Sequence, residues 1–143
     1  MIVAMHIATG AAGGAVAGSR VGAALLGPVL HAIGDHIPHE DIDSVGFEVR
    51  CGAFGVLALA AVRGPLHPAT VGAIASAAPD VEHIVRLPRP GGRKLFPSHR
   101  IPGFHRPGGV PASVQLLVAG LLLGVVLGAG LRKDRSSTEG RAT

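Results

Sequence analysis

Residues 111–131 contain no charged side chain, and about twenty consecutive apolar residues are what a helix needs to cross the hydrocarbon core of a bilayer. This stretch therefore reads as a transmembrane helix. Gly120, Gly124 and Gly128 recur in it at four-residue spacing, which lays bare backbone along one face and permits close helix contact in lipid. The remaining composition agrees. Charged residues make up 15% of the chain, against about 25% in an ordinary soluble domain. Trp and Tyr are absent, so no aromatic belt marks the membrane boundaries.

The rest of the chain divides into further short helices. Met1 to Ser19 is apolar, with His6 its only ionisable side chain, and Gly10, Gly14, Gly18 and Gly22 form a second four-spaced row. No Lys or Arg precedes Ala15-Val16-Ala17, which disfavours a cleaved signal peptide. Val21 to Gly34 reads as a second helix, kinked at Pro28 and ended by Pro38. Ser44 is a candidate N-cap for a third, Val45 to Val62, which Arg63-Gly64-Pro65 stops. His67-Pro68 opens a fourth, Ala69 to about Arg86, broken or kinked at Pro79. Residues 87–110 are rich in Pro and Gly and carry Arg89, Arg93, Lys94, Arg100 and Arg106 without a single acid. The expected fold is all-α: a small integral membrane bundle of about four to five helices with a polar metal-site loop. Residues 1–131 form the embedded domain and 132–143 a disordered polar tail.

The formal charge is +4. Such a balance points to nucleic acid or to anionic lipid. Four Phe are the only large aromatics, too few for base stacking, so the expected partner is the bilayer with its anionic headgroups and not nucleic acid. The basic loop outweighs the basic tail, which places the loop on the cytoplasmic side by the positive-inside rule. The glycine rows serve helix contacts within the chain or between copies, so a homo-oligomer is one outcome. Cys51 is a single cysteine and forms no internal disulfide.

Against this apolar background stand three polar clusters. Residues 31–43 hold His31, His36 and His39 with Asp35, Glu40, Asp41 and Asp43; residues 78–83 hold Asp80, Glu82 and His83; His99 and His105 lie in the basic loop. Imidazoles and carboxylates are costly beside apolar segments unless something pairs with them. A shared divalent metal ion accounts for all three clusters at once. His31 and Asp35 are four apart and Asp80 and His83 three apart, so each pair shares a helix face. Imidazole with carboxylate suits zinc first, with manganese or iron as alternatives, and the lack of thiolates excludes a cysteine-type structural zinc. There are more candidates than one ion requires, so either two metals bind or some side chains orient the ligands. His67 reads as a helix-start residue, His36 and His39 as turn-capping residues, and Glu40, Asp41 and Asp43 as an ordinary acidic loop.

These motifs resemble those of the bacterial family of membrane-bound metal-dependent hydrolases. That family combines an early histidine, a Pro-Asp-x-Asp-His stretch, a His-Arg-Gly-x-Thr-His stretch and a His-x-x-x-Asp pair among membrane helices. Here the counterparts are His6, Pro79-Asp80-Val81-Glu82-His83, His99-Arg100 with His105, and His31 with Asp35. Glu82 replaces the second Asp, His99 and His105 are one residue further apart, and Phe104 stands in place of the Thr. The resemblance covers residues 1 to about 131 and implies a hydrolase in the bacterial inner membrane. On this reading His31, Asp35, Asp80 and His83 hold the metal, and His6, His99 or His105 completes its shell. Glu82 is the general base, and Arg100 holds an anionic phosphoester or lipid-like substrate. The alternatives are a non-catalytic metal staple and a metal-handling protein. The single-site reading requires the ligands to gather at one end of the bundle.

Overall fold

The computed structural model describes residues 1–139, in which all regular structure is helical. Five helices have ten residues or more: α1 (Val3–Ala17), α2 (Arg20–His36), α3 (Val45–Arg63), α4 (Pro68–Ala77) and the last, α7 (Ala112–Glu139). Between α4 and α7 lie two four-residue helices, α5 (Val81–Ile84) and α6 (Pro97–Arg100). Residues 132–139 of the expected polar tail continue α7 to Glu139, and residues 140–143 lie outside the described residues.

The helix ends follow local chemistry. Gly18 ends α1 with φ +67°, a conformation that glycine adopts without strain. Ser19 then caps α2 by accepting from the Gly22 N–H, and Ser44 caps α3 by accepting from the Phe47 N–H. The His67 ring does the same for α4, with Nδ1 accepting from the Ala69 N–H. Pro79 sits in a 3-10 turn, Ala78–Asp80, that separates α4 from α5. The basic loop, expected to be irregular throughout, contains α6, which begins with Pro97 at its first position, where a missing N–H costs nothing.

α1 is the central helix and packs on α2, α3, α4 and α7. Its first glycine row makes this possible. A Cβ at Gly10 would collide with the Gly72 carbonyl of α4, one at Gly72 with the Gly10 carbonyl, and one at Gly14 with the Pro68 carbonyl. The core around this seam is small, built on Ile7, Ala11, Leu59, Ala69, Ala73 and Val126. The C-terminal row behaves differently: nothing lies within 4 Å of a Cβ built at Gly120, Gly124 or Gly128. Gly120→Leu is therefore expected to leave the fold intact and raise the thermal unfolding midpoint of the purified protein slightly. Exchanging an unpacked helical glycine for a good helix former gains about 0.5–1 kcal/mol.

α3 and, over Ala112–Leu131, α7 are long and apolar enough to cross a membrane. Only 17% and 22% of their most apolar windows are buried in the protein, so these apolar faces point outward. Phe54 and Leu57 on α3 and Leu117, Leu121 and Val125 on α7 are all exposed.

Candidate metal centre

The start of α1, the end of α2, the start of α3 and the end of α4 meet at one end of the bundle, and the polar clusters meet there too. The His31–Asp35 spacing puts both side chains on the inner face of α2, where both are buried. The 3-10 turn at Pro79 brings Asp80 beside them. α6 supplies two adjacent residues to the same point. Ser98 Oγ donates to Asp35 Oδ2 at 2.5 Å, and His99 Nε2 lies 3.4 Å from that same oxygen.

Two imidazoles are fixed with their Nε2 atoms inward. His31 Nδ1 donates to the Ser76 carbonyl at 2.8 Å, and His99 Nδ1 donates to Glu82 Oε1 at 2.6 Å. In the neutral tautomers these bonds select, both Nε2 atoms carry lone pairs. They lie 3.1 Å apart. Asp35 Oδ2 is 3.0 Å from His31 Nε2, and Asp80 Oδ1 is 3.8 and 3.6 Å from the two nitrogens. Four potential ligand atoms therefore converge, an arrangement that a bound cation would satisfy. Further signs agree. His6 stacks on His31 with ring centroids 3.9 Å apart, and its Nε2 lies 3.2 Å from Asp35 Oδ1. Asp80 Oδ2 has no hydrogen-bond partner among the described residues. The donor set of imidazole and carboxylate could thus hold a metal ion, and the ligand atoms of His31, Asp35 and His99 lie within 4.8 Å of one another.

Burial pulls the His99 imidazole down, but its hydrogen bonds to Asp35 and Glu82 outweigh this and hold it above its ordinary range. The protonated ring is thus favoured without metal, and an ion bound here would displace that proton. Burial pushes the Asp80 carboxyl up, and the imidazoles of His31 and His99 only partly offset it. Glu82 behaves in the opposite way. Burial would raise it, yet the Leu95 N–H, the His99 ring and the Phe96 N–H together hold it low.

Glu82 is therefore the residue behind His99: it is buried, and its two oxygens accept from Leu95 N, Phe96 N and His99 Nδ1. Outer carboxylates of this kind are worth 10- to 100-fold in metal affinity. Glu82→Gln is expected to weaken zinc binding by roughly that factor while leaving one equivalent bound at saturation, measured by competition with a chromophoric chelator.

The other expected residues lie around this point: the ligand atoms of Asp80, His83 and His99 are within 4.8 Å of one another, as are those of His6, His31 and Asp80. His83 sits on the outer side of His99, with Nε2 3.2 Å from His99 Nδ1 and Nδ1 3.4 Å from Lys94 Nζ. His105 joins not His31 but a group formed by His39 and Asp41, with its Nε2 3.1 Å from Asp41 Oδ2. Arg100 is exposed at the end of α6. A cavity of about 460 Å³ opens beside the centre. Its polar wall includes Asp80, His99, Glu48 and Lys94, and its apolar wall Val45, Val49 and Ile84. Lys94 lines it, and Arg100 does not.

Three residues have a place here that no sequence motif marks. His39 reads as turn-capping and Asp41 as part of an acidic loop. Glu48, in the first turn of α3, lines the cavity, and its Oε1 is buried without a hydrogen-bond partner among the described residues. No protein-family model, curated protein or solved structure matches the chain.

Proposed function

We propose that this chain is an integral membrane metal-dependent hydrolase acting on an anionic phosphoester or lipid-like substrate. The observation that carries this reading is the convergence of two lone-pair Nε2 atoms, from His31 and His99, on Asp35 and Asp80 at the edge of an open cavity. His31, Asp35, His99 and Asp80 would hold the ion, zinc first. When bound, such an ion lowers the pKa of water towards neutrality and polarises a phosphoryl oxygen. The chain's own residues have distinct parts. Glu82 and the Ser76 carbonyl orient the two imidazoles. Glu48, which lines the cavity and has a buried oxygen without a hydrogen-bond partner, accepts the proton, in place of Glu82, whose oxygens are engaged. Lys94 holds the anionic group of the substrate, and the exposed Arg100 attracts it from outside.

The outward apolar faces of α3 and α7 support insertion in a bilayer. At about 1.5 Å per residue, 19 residues reach roughly 28 Å, the hydrocarbon thickness. The basic loop lies at the end that carries the centre, which supports a cytoplasmic site in the inner membrane. The motif resemblance to the membrane-bound metal-dependent hydrolases supports the same activity. A metal that only staples the helices calls for a closed shell, and the adjoining cavity favours catalysis over that second reading.

The test uses detergent-purified, zinc-loaded protein with a bis(aryl) phosphodiester and an anionic phospholipid as substrates. Hydrolysis that a chelator abolishes, and that Glu48→Gln abolishes with zinc still bound, supports the reading. Bound zinc without turnover of either substrate would leave the staple and remove the enzyme.

A further inference from the structure

Asp35 has two oxygens, and they serve different neighbours. Oδ2 faces His31, His99 and Ser98. Oδ1 faces the other way, 3.2 Å from His6 Nε2 and 3.2 Å from the Met1 amino group. On that side lies the group not absorbed by the centre described above. His39 is buried at 1% exposure. Its Nδ1 donates to the Ile37 carbonyl at 2.6 Å, which leaves a lone pair on Nε2 in the neutral ring. That Nε2 is 3.2 Å from Asp41 Oδ1 and also touches the Met1 amino group. The other Asp41 oxygen meets His105 Nε2 at 3.1 Å, and the His39 and His105 rings are perpendicular with centroids 4.5 Å apart. The ligand atoms of Asp35, His39 and His105 lie within 4.8 Å of one another.

The backbone is built to hold this group together. Pro38 ends α2, and residues 38–40 then pair with 106–110. The His39 N–H donates to the Arg106 carbonyl, the Val110 N–H to the Pro38 carbonyl and the Glu40 N–H to the Val110 carbonyl. Gly109 passes against the Pro38 carbonyl at φ +97°, where a side chain would collide. Gln115, buried in α7, donates to the Glu40 and Val110 carbonyls and accepts from the Ile2 N–H. Three segments remote in sequence are thus fastened so that His39, Asp41 and His105 face one another. The fully buried His6 places its Nε2 against the same oxygen of Asp35.

We infer that His39, Asp41 and His105 form a second divalent-cation site, joined to the first by Asp35 as a bridging carboxylate. This inference rests on the metal reading of the first centre. Paired metals that share a carboxylate sit about 3.5–4 Å apart and clamp a phosphoryl group from two sides. Such a pair would favour phosphodiester chemistry over a neutral ester.

The test is manganese binding, read by equilibrium dialysis with elemental analysis and by electron paramagnetic resonance of the full chain. Wild type is expected to take up two manganese ions per chain and to show the exchange-coupled spectrum of a close pair. His105→Ala, at a half-exposed position that the fold tolerates, and Asp41→Asn are each expected to retain one ion with an uncoupled six-line spectrum. One ion in wild type, uncoupled and unchanged in both variants, would overturn the second site and leave the first; the Met1 ammonium would then be the cation between Asp35 and Asp41. No manganese or zinc in wild type would overturn both.

Discussion

Asp35→Asn is expected to lower divalent-metal affinity by a hundredfold or more without unfolding the protein. Removing an outer orienting group already costs 10- to 100-fold, and Asp35 stands inside that shell, with both oxygens directed at imidazoles. Retention of the fold follows from the geometry. In the metal-free protein the Asn amide presents N–H donors to lone pairs on the surrounding rings, so it satisfies the acceptors that a cation would otherwise satisfy. The variant should therefore show a near-native circular dichroism spectrum and melting midpoint without metal, and should lose the gain in midpoint that zinc gives wild type by mass action. Equal stabilisation of wild type and variant by zinc would show that Asp35 is not a ligand.

The second large effect lies in the α1–α4 seam. Gly10→Val and Gly72→Val each place a Cβ against a carbonyl of the facing helix. Backbone cannot swing aside as a long side chain can, so the helices must separate. Overpacking of this kind costs about 3 kcal/mol, which lowers the thermal midpoint by roughly 10 °C for a chain of this size. The loss reaches the centre as well, because α1 carries His6 and the end of α4 carries Ser76, the acceptor that orients His31. Both midpoint and metal affinity should fall together. An unchanged or raised midpoint, as expected for Gly120→Leu, would show that the helices do not approach as closely as this seam requires.

The contrast between the two glycine rows shows where sequence stopped being informative. Both have the same spacing, and spacing alone shows only that bare backbone lines one face. Which row meets a partner depends on the helix order, and only the first row faces another helix of this chain. The all-helical architecture was legible because its ends are written locally, in Ser44, Gly64 and the His67-Pro68 start. α6 was not, since four residues give no periodicity and Pro97 was read among the other prolines of a loop.

The centre divides in the same way. His31 with Asp35 could be read from a helical repeat, and Asp80 from its place after Pro79. His39 and Asp41 could not, because what makes them more than a turn is the pairing of residues 38–40 with 106–110, which no local pattern announces. Gln115 carried a usable signal, a lone amide in an apolar run, where an unpaired polar group is costly. Its fastening role follows from that cost. Glu82 and Arg100 show the limit of assigning parts by residue type. A carboxylate next to a ligand histidine can orient that histidine or take a proton, and only the hydrogen bonds from Leu95 and Phe96 separate the two. Arg100 was the nearest cation in sequence, whereas Lys94 is the one that the loop turns into the cavity.

The measurement that tests the account most directly is the zinc content of purified wild type beside His31→Ala and His99→Ala, by elemental mass spectrometry after saturation with zinc and removal of the excess. The two residues are 68 positions apart in the chain with their Nε2 atoms 3.1 Å apart. The account predicts at least one tightly held zinc per wild-type chain and loss of the same ion from either variant. Wild type that holds no zinc after saturation, or variants that each retain the wild-type amount, would contradict it.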